Sequence, residues 1–249
     1  MKIVVIIQAR MGSTRLPGKM MKKIDETPMV QFVVQSVKKA KKVHEIWLAT
    51  TINPEDDVLA TWAEENSVLW YRGSSDDVLD RYYQAAKLAE ADIIVRVTGD
   101  CPLADPAVID GVVEEFLKGG ADYVSNTQPP TFPDGLDVEV CSFDSIEKAW
   151  KEATLSSERE HVMPYIWKHP ELFRIKNVTH TPDWSNYRLT LDTEEDFVLI
   201  EKVIEECKKQ GNDFSMNTVI DILTSHPEWL KINNKYERNE GYEKSLKED

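Results

Sequence analysis

Residues 3–9, IVVIIQA, form an unbroken, largely β-branched run that gives way abruptly to RMGSTRLPGK. So short and apolar a run, closed by a turn, predicts a strand buried on both faces, as in a parallel sheet covered by helices. The following residues keep to that plan. After Pro28, Val30, Val33, Val34 and Val37 recur at helical spacing, and then come strand-like EIWLATT, an Asn53-capped helix over 54–65 and the short run VLWY. DDVLDRYYQAAKLAEA reads as a helix, DIIVRVTGD as a strand, and another helix begins near Asp105. Strands and helices in alternation predict an α/β chain, a three-layer α/β/α sandwich around a mostly parallel, Rossmann-like sheet.

The pattern changes at Gln128–Gly135, where QPPTFPDG interrupts the alternation with three prolines and a glycine. Beyond this loop the sequence predicts strand-like LDVEVCSF, a helix from Ser142 to about Ala153, a second over 156–168, strand-like FRIKNV and YRLTLD, and a long amphipathic helix over 194–209. The sheet is therefore expected to be mixed at one edge. The whole chain, 1–249, reads as one domain, and the charged stretch from about residue 231 onward as a peripheral helix or tail.

A formal net charge of −14 argues against nucleic-acid binding, which calls for a basic face. Cys101, Cys141 and Cys207 are odd in number and unpaired in spacing, which suggests neither a disulfide framework nor a zinc site and fits a reducing cytoplasm. No stretch approaches the roughly 20 apolar residues needed to span a bilayer, and Ile3–Ile7 is too short for a signal peptide. The expected partners are small molecules.

Against this acidic background, residues 10–23 carry Arg10, Arg15, Lys19, Lys22 and Lys23 and no acid. The segment follows a buried strand, so it should lie at the carboxyl edge of the sheet, where open α/β folds bind ligands. Gly12 and Gly18 allow close backbone approach, and Ser13, Thr14 and the backbone N–H groups could cradle phosphate oxygens; a solvated basic turn is the plainer alternative. A phosphate-binding Walker loop is excluded because Met20 stands where Ser or Thr is required. Asp100 and Asp192 end apolar runs that should deliver both to the same edge, either as magnesium ligands or, for Asp192 before TEED, as a helix cap. Arg72, Asp77 and Arg81 lie beside a helix start and suit either a salt-bridged cap or the nucleotide edge.

QARMGSTRLPGK resembles the N-terminal signature of the cytidylyltransferases that make CMP-Kdo and CMP-sialic acids, and is closest to the branch called spore coat polysaccharide biosynthesis protein F. VTGDCPLADP and LTLDTEEDF look like that family's two aspartate segments, and YRGSSDDVLDRYY, YVSN, FPDGLDVEV and SEREHVMPYI extend the likeness over roughly residues 1–200. The resemblance implies a nucleotide-diphospho-sugar transferase-like sandwich that transfers CMP from CTP with Mg2+. It implies triphosphate contacts from Arg10, Gly12, Ser13, Thr14, Arg15 and Lys19, base contacts from the Ala9 backbone, further nucleotide contacts from Arg72, Arg81 and Thr98, and metal binding by Asp100 and Asp192. Arg15, Lys19, Asp100 and Asp192 would carry catalysis, with Cys101 a packing residue. Thr98 departs from the glutamine of the Kdo-specific enzymes, which leaves base contacts and acceptor open. Asn126, Asp137, Glu139, Arg159 and His161 are candidates for a small anionic sugar-type acceptor, since arginine grips carboxylate or phosphate and carboxylates suit sugar hydroxyls. Resembling enzymes are commonly homodimers, with an edge strand near the proline loop as the expected contact. A metal-dependent glycosyltransferase and a non-catalytic nucleotide sensor are the competing readings, the first disfavoured because TGDCP gives Asp100 no DxD neighbour.

Overall fold

The computed structural model describes residues 1–211 and 213–249. Strand β1 (Ile3–Gln8) is hydrogen-bonded on both sides, to β4 (Glu45–Thr51) and to β6 (Ile93–Thr98), both parallel to it. Successive side chains point to opposite faces. Ile3, Val5 and Ile7 therefore enter one core, and Val4 and Ile6 the other. All five are at most 2% exposed, and each contributes about 1.5–3 kcal/mol of transfer free energy. This double burial is what an uninterrupted apolar run encodes.

The seven-stranded sheet runs β5, β4, β1, β6, β8, β7, β9, with β5 (Leu69–Gly73) and β9 (Ile175–Asn177) at its edges. A small hairpin of β2 (Lys23–Ile24) and β3 (Thr27–Pro28) stands apart. One face is covered by α1 (Met29–Val37), α2 (Asp57–Glu65), α4 (Pro106–Leu117), α8 (Glu194–Lys209) and α9 (Met216–Ser225). The other carries α3 (Val78–Leu88), α5 (Phe143–Glu152) and α7 (Pro164–Lys168). The expected α/β/α sandwich is present.

The mixed region is internal. Strand β8 (Glu139–Ser142) runs antiparallel to both β6 and β7 (Tyr123–Ser125), with Arg96 opposite Glu139. Its direction brings Asp137 and Glu139 into the sheet at the edge where β1 and β6 leave it. Pairing on both sides also removes β8, the strand that follows the proline loop, from the sheet's edges, so it is not the edge strand expected there.

Three other expectations change. YRLTLD forms no ladder strand, and Arg188, Leu189, Thr190 and Leu191 are buried in succession rather than alternately. Its backbone crosses the carboxyl edge instead: Leu189 N–H donates to Asp134 O at 2.6 Å and Leu191 N–H to Asp100 O at 2.8 Å. The helix expected over 156–168 breaks at Val162, whose φ is 73°, before Pro164, giving α6 (Ser156–His161) and α7. Asn53 makes no side-chain cap; a 3-10 turn over Pro54–Asp56 precedes α2, and the Asp56 carboxylate accepts from Met11 N–H at 2.6 Å.

Gly135 stands at φ 102°, and an added Cβ would lie 2.5–2.6 Å from the Leu189 and Thr190 backbone. Gly135→Ala is expected to destabilise the protein by about 2–4 kcal/mol, because both the conformation and the backbone contact resist relief. Gly111→Ala, in open space on α4, should instead stabilise it by about 0.5–1 kcal/mol. Urea midpoints of the two variants check this contrast, and equal shifts would contradict it.

Candidate active site

Loops leaving β1, β6 and β7 meet at one edge, where a cavity of about 1490 Å³ opens. Its centre is an ammonium group. Lys19 Nζ lies 3.0 Å from Asp100 Oδ2, 2.9 Å from Asp192 Oδ1 and 2.8 Å from the Leu191 carbonyl. Burial would push the Lys19 ammonium down, but Asp100 and Asp192 together outweigh it and hold it above its usual value. Burial likewise works to raise Asp100, and Lys19, aided by the Thr98 hydroxyl, brings it below the usual carboxylate range.

Local sequence explains how the three groups meet. Gly99 N–H donates to Gln8 O at 2.8 Å, and any Cβ there would strike Gln8 O, Ala9 and Met20 within 2.9 Å. Only glycine lets the loop after β6 lie this close to the loop after β1. Asp192 precedes the cap of α8 and is not that cap: Thr193 and Asp196 form the capping box. Asp196, fully buried, also accepts from Asp192 N–H at 3.0 Å and takes Arg188 as a two-point partner at 2.9 Å. Arg188 in turn reaches Asp134 at 3.1 Å and Asp192 at 3.5 Å.

Around this centre the cavity is lined by Ala9, Arg10, Ser13, Thr14, Arg15, Arg81, Thr98, Asp137, Glu139, Arg159 and His161 from the sequence-based set. Ala9 N–H is engaged by the Ala49 carbonyl at 3.1 Å, so its carbonyl is the group left to meet a ligand. Arg10 is exposed and has no ion-pair partner among the described residues. Arg15 lies 3.0 Å from Asp192 and 2.8 Å from Glu240. Arg81 is 2% exposed and donates to Ser74 O at 2.9 Å, while its Nε has no partner among the described residues. Arg159 grips Asp77, which also caps α3. Glu139 accepts from Arg96 and from Tyr123 at 2.5 Å. The Asp137 carboxyl is pushed up to about 7, by burial first; its partner Arg238 pulls it down and Asp134 and Glu139 push it up. Burial lowers His161, whose Nε2 meets Ser245 Oγ at 3.0 Å. Cys101 is packed against Thr98, and burial pushes its thiol well up, away from nucleophilic use.

Three expected residues lie outside the cavity. Arg72 ties the loop after β4 together through Thr51 O at 2.7 Å, Asn53 O at 2.9 Å and Asp57 at 2.6 Å. Asn126, fully buried, clamps the chain before β8 through Leu136 O and Val138 N–H, both at 2.8 Å. The space beside Gly12 is filled by the Glu55 carboxylate, 2.4 Å from where a Cβ would stand. Conversely, sequence reasoning missed Arg96, Asp134 and Arg188, and above all the tail. Helix α10 (Glu240–Ser245) packs on α6, Glu240, Tyr242 and Lys244 line the cavity, and Asp249 accepts from Ser157 N–H at 2.8 Å. FPDG and the Arg188 four residues before Asp192 were the available signals; the charged tail carried none.

Lys19→Met should cost about 2 kcal/mol of stability, less than for a fully buried pair because the aspartates are about a quarter exposed. Adding Asp100→Asn should restore part of it. The depressed Asp100 carboxyl contributes stability that is present above the ordinary pKa of 3.8 and is lost as pH falls through its lower folded value. Asp100→Asn alone should therefore flatten the acid limb of stability against pH. Thermal melts across pH 2–7 check both outcomes.

A sequence profile described as cytidylyltransferase matches residues 4–246. The chain is 40% identical over 238 residues to the uncharacterized protein MJ1063 of Methanocaldococcus jannaschii, covering 94% of this chain and 95% of that one. It is 30% identical over 233 residues to the spore coat polysaccharide biosynthesis protein SpsF of Bacillus subtilis, covering 91% and 95%. The solved structure of a cytidylyltransferase from Leptospira borgpetersenii superposes with a TM-score of 0.87 at 35% identity, over 92% of this chain and 97% of that one. With a match that takes in the basic loop, both aspartate segments and most of the tail, the chain belongs to the cytidylyltransferase family of nucleotidyltransferases.

Proposed function

We propose that this chain is a magnesium-dependent enzyme that transfers CMP from CTP to an anionic sugar-type acceptor, a sugar acid or a sugar phosphate, with release of pyrophosphate, for assembly of a surface or spore coat polysaccharide. The observation that carries the reading is the meeting of Lys19, Asp100 and Asp192 within 3.0 Å beside the basic loop. Two carboxylates held around a cation, with a loop of arginines and hydroxyls next to them, suit a metal-bound triphosphate.

The donor set fits magnesium. Asp100 and Asp192 offer oxygen only, and the Lys19 ammonium already marks the place between them as one that favours positive charge. Two carboxylates suit an ion that keeps several waters and takes phosphate oxygens as its other ligands. When bound, the metal neutralises phosphate charge and polarises the α-phosphate.

The chain's own residues supply the rest. Arg10 and Arg15, with the hydroxyls of Ser13 and Thr14, hold the β- and γ-phosphates and stabilise charge on the departing pyrophosphate, and Lys19 joins them by exchanging a carboxylate partner for a phosphate oxygen. Arg188, anchored by Asp196, keeps the Asp192 carboxylate from turning away. The acceptor oxygen, a phosphate oxygen or a hydroxyl that gives up its proton to solvent, forms a bond to the α-phosphorus as the bond from that phosphorus to the bridging oxygen breaks and pyrophosphate leaves, so no covalent enzyme intermediate is required. Glu240 sits on Arg15 at 2.8 Å, as a phosphate oxygen would, and must rotate aside for the nucleotide.

Asp100→Ala and Asp192→Ala are each expected to lower CTP-dependent pyrophosphate release at least about a thousandfold with magnesium present; full activity in either variant removes that residue from the mechanism. Glu240→Gln should lower the KM for CTP about two- to fivefold, the worth of one exposed ion pair. Steady-state kinetics with each of the four NTPs checks these values and the preference for cytidine.

A further inference from the structure

The cations of the cavity are almost all committed. Lys19 and Arg15 share Asp192. Arg96 is paired with Glu139, Arg159 with Asp77, and Arg188 with Asp196 and Asp134. Arg81 is buried against a backbone carbonyl. Two lining cations have no hydrogen-bond or ion-pair partner among the described residues: Arg10, on the loop that follows β1, and Lys244, on α10.

Their places differ. Arg10 stands beside Ser13 and Thr14, at the end assigned to triphosphate. Lys244 is exposed, on α10, one helical turn after Glu240, whose carboxylate touches Arg15. The next residue, Ser245, hydrogen-bonds His161 at 3.0 Å and Glu160 at 2.5 Å. The turn is held in place by Asp249 on Ser157 and by Arg238 on Asp137. Acids crowd the same wall, among them Glu160 and Glu248. With Arg10 assigned to the triphosphate, Lys244 is the other lining cation with no hydrogen-bond or ion-pair partner among the described residues to offer a second anion entering beside CTP.

We propose that Lys244 is the specificity-determining residue that binds the anionic group of the acceptor, carboxylate or phosphate, so that the C-terminal helix forms the acceptor wall of the site. This rests on the cytidylyltransferase reading above. A solvated tail lysine would touch neither acceptor nor product.

The test measures pyrophosphate release at saturating CTP and magnesium with three acceptor arms: 3-deoxy-manno-octulosonate as a sugar acid, glucose 1-phosphate as a sugar phosphate, and glucose as a neutral sugar. Calorimetry of CTP binding runs alongside. The expected result is turnover in an anionic arm only. There Lys244→Ala should raise the acceptor KM about tenfold or more, Lys244→Glu should raise it further and Lys244→Arg should recover most of it, with the CTP KM and kcat little changed. Which anionic arm responds tells carboxylate from phosphate. An unchanged acceptor KM in Lys244→Ala, an effect on the CTP KM instead, equal use of glucose, or silence of both anionic arms while CTP binds would overturn the assignment of Lys244. Absence of CTP binding in the unaltered protein would overturn the cytidylyltransferase reading itself.

Discussion

One ammonium group organises this molecule. Lys19 comes from the first loop, Asp100 from the loop after β6 and Asp192 from the start of α8, so a single side chain ties together segments separated by 81 and 173 residues. Two carboxylates this close would repel each other without it, and burial would otherwise drive Lys19 toward its neutral form. Each charge is tolerable only because the others are present. The parallel sheet makes the meeting possible, since β1 and β6 pair in register with Gln8 opposite Thr98 and release their loops side by side.

Around that centre, charge is arranged in layers. Asp196 is fully buried and fixes Arg188, Arg188 reaches Asp192, and Asn233, at the start of the tail, donates to Asp196 at 2.8 Å. The chain's far end is thus wired to the same carboxylate that Lys19 holds. A site built this way leaves few of its cations without a partner among the described residues.

Much of this was legible in the sequence because the governing physics is local. Double burial writes β1 as an uninterrupted apolar run, and a cluster of cations within an acidic chain stands out as the loop that lines the cavity. Asp100 and Asp192 were visible for the same reason, since each ends an apolar run. What was not legible depends on tertiary partners. YRLTLD alternates as a strand should, yet its carbonyls and amides are satisfied by two loops, Asp134 and Asp100, that no local pattern reveals. Arg72 and Asn126 look like ligand-facing polar residues but serve backbone carbonyls and amides that loops leave unpaired. The tail is the clearest case. Its composition is that of a solvated segment, and Arg238 and Glu240 acquire meaning only because Asp137 and Arg15 lie opposite them.

Manganese provides the most direct measurement of the central claim, because it can replace magnesium and broadens nearby nuclear resonances. In amide spectra of the CTP-loaded protein, substoichiometric Mn2+ should erase signals in the loops holding Lys19, Asp100 and Asp192 together, leaving those of β5 and β9 sharp. Broadening centred elsewhere, or confined to one of the two aspartate loops, would contradict the account.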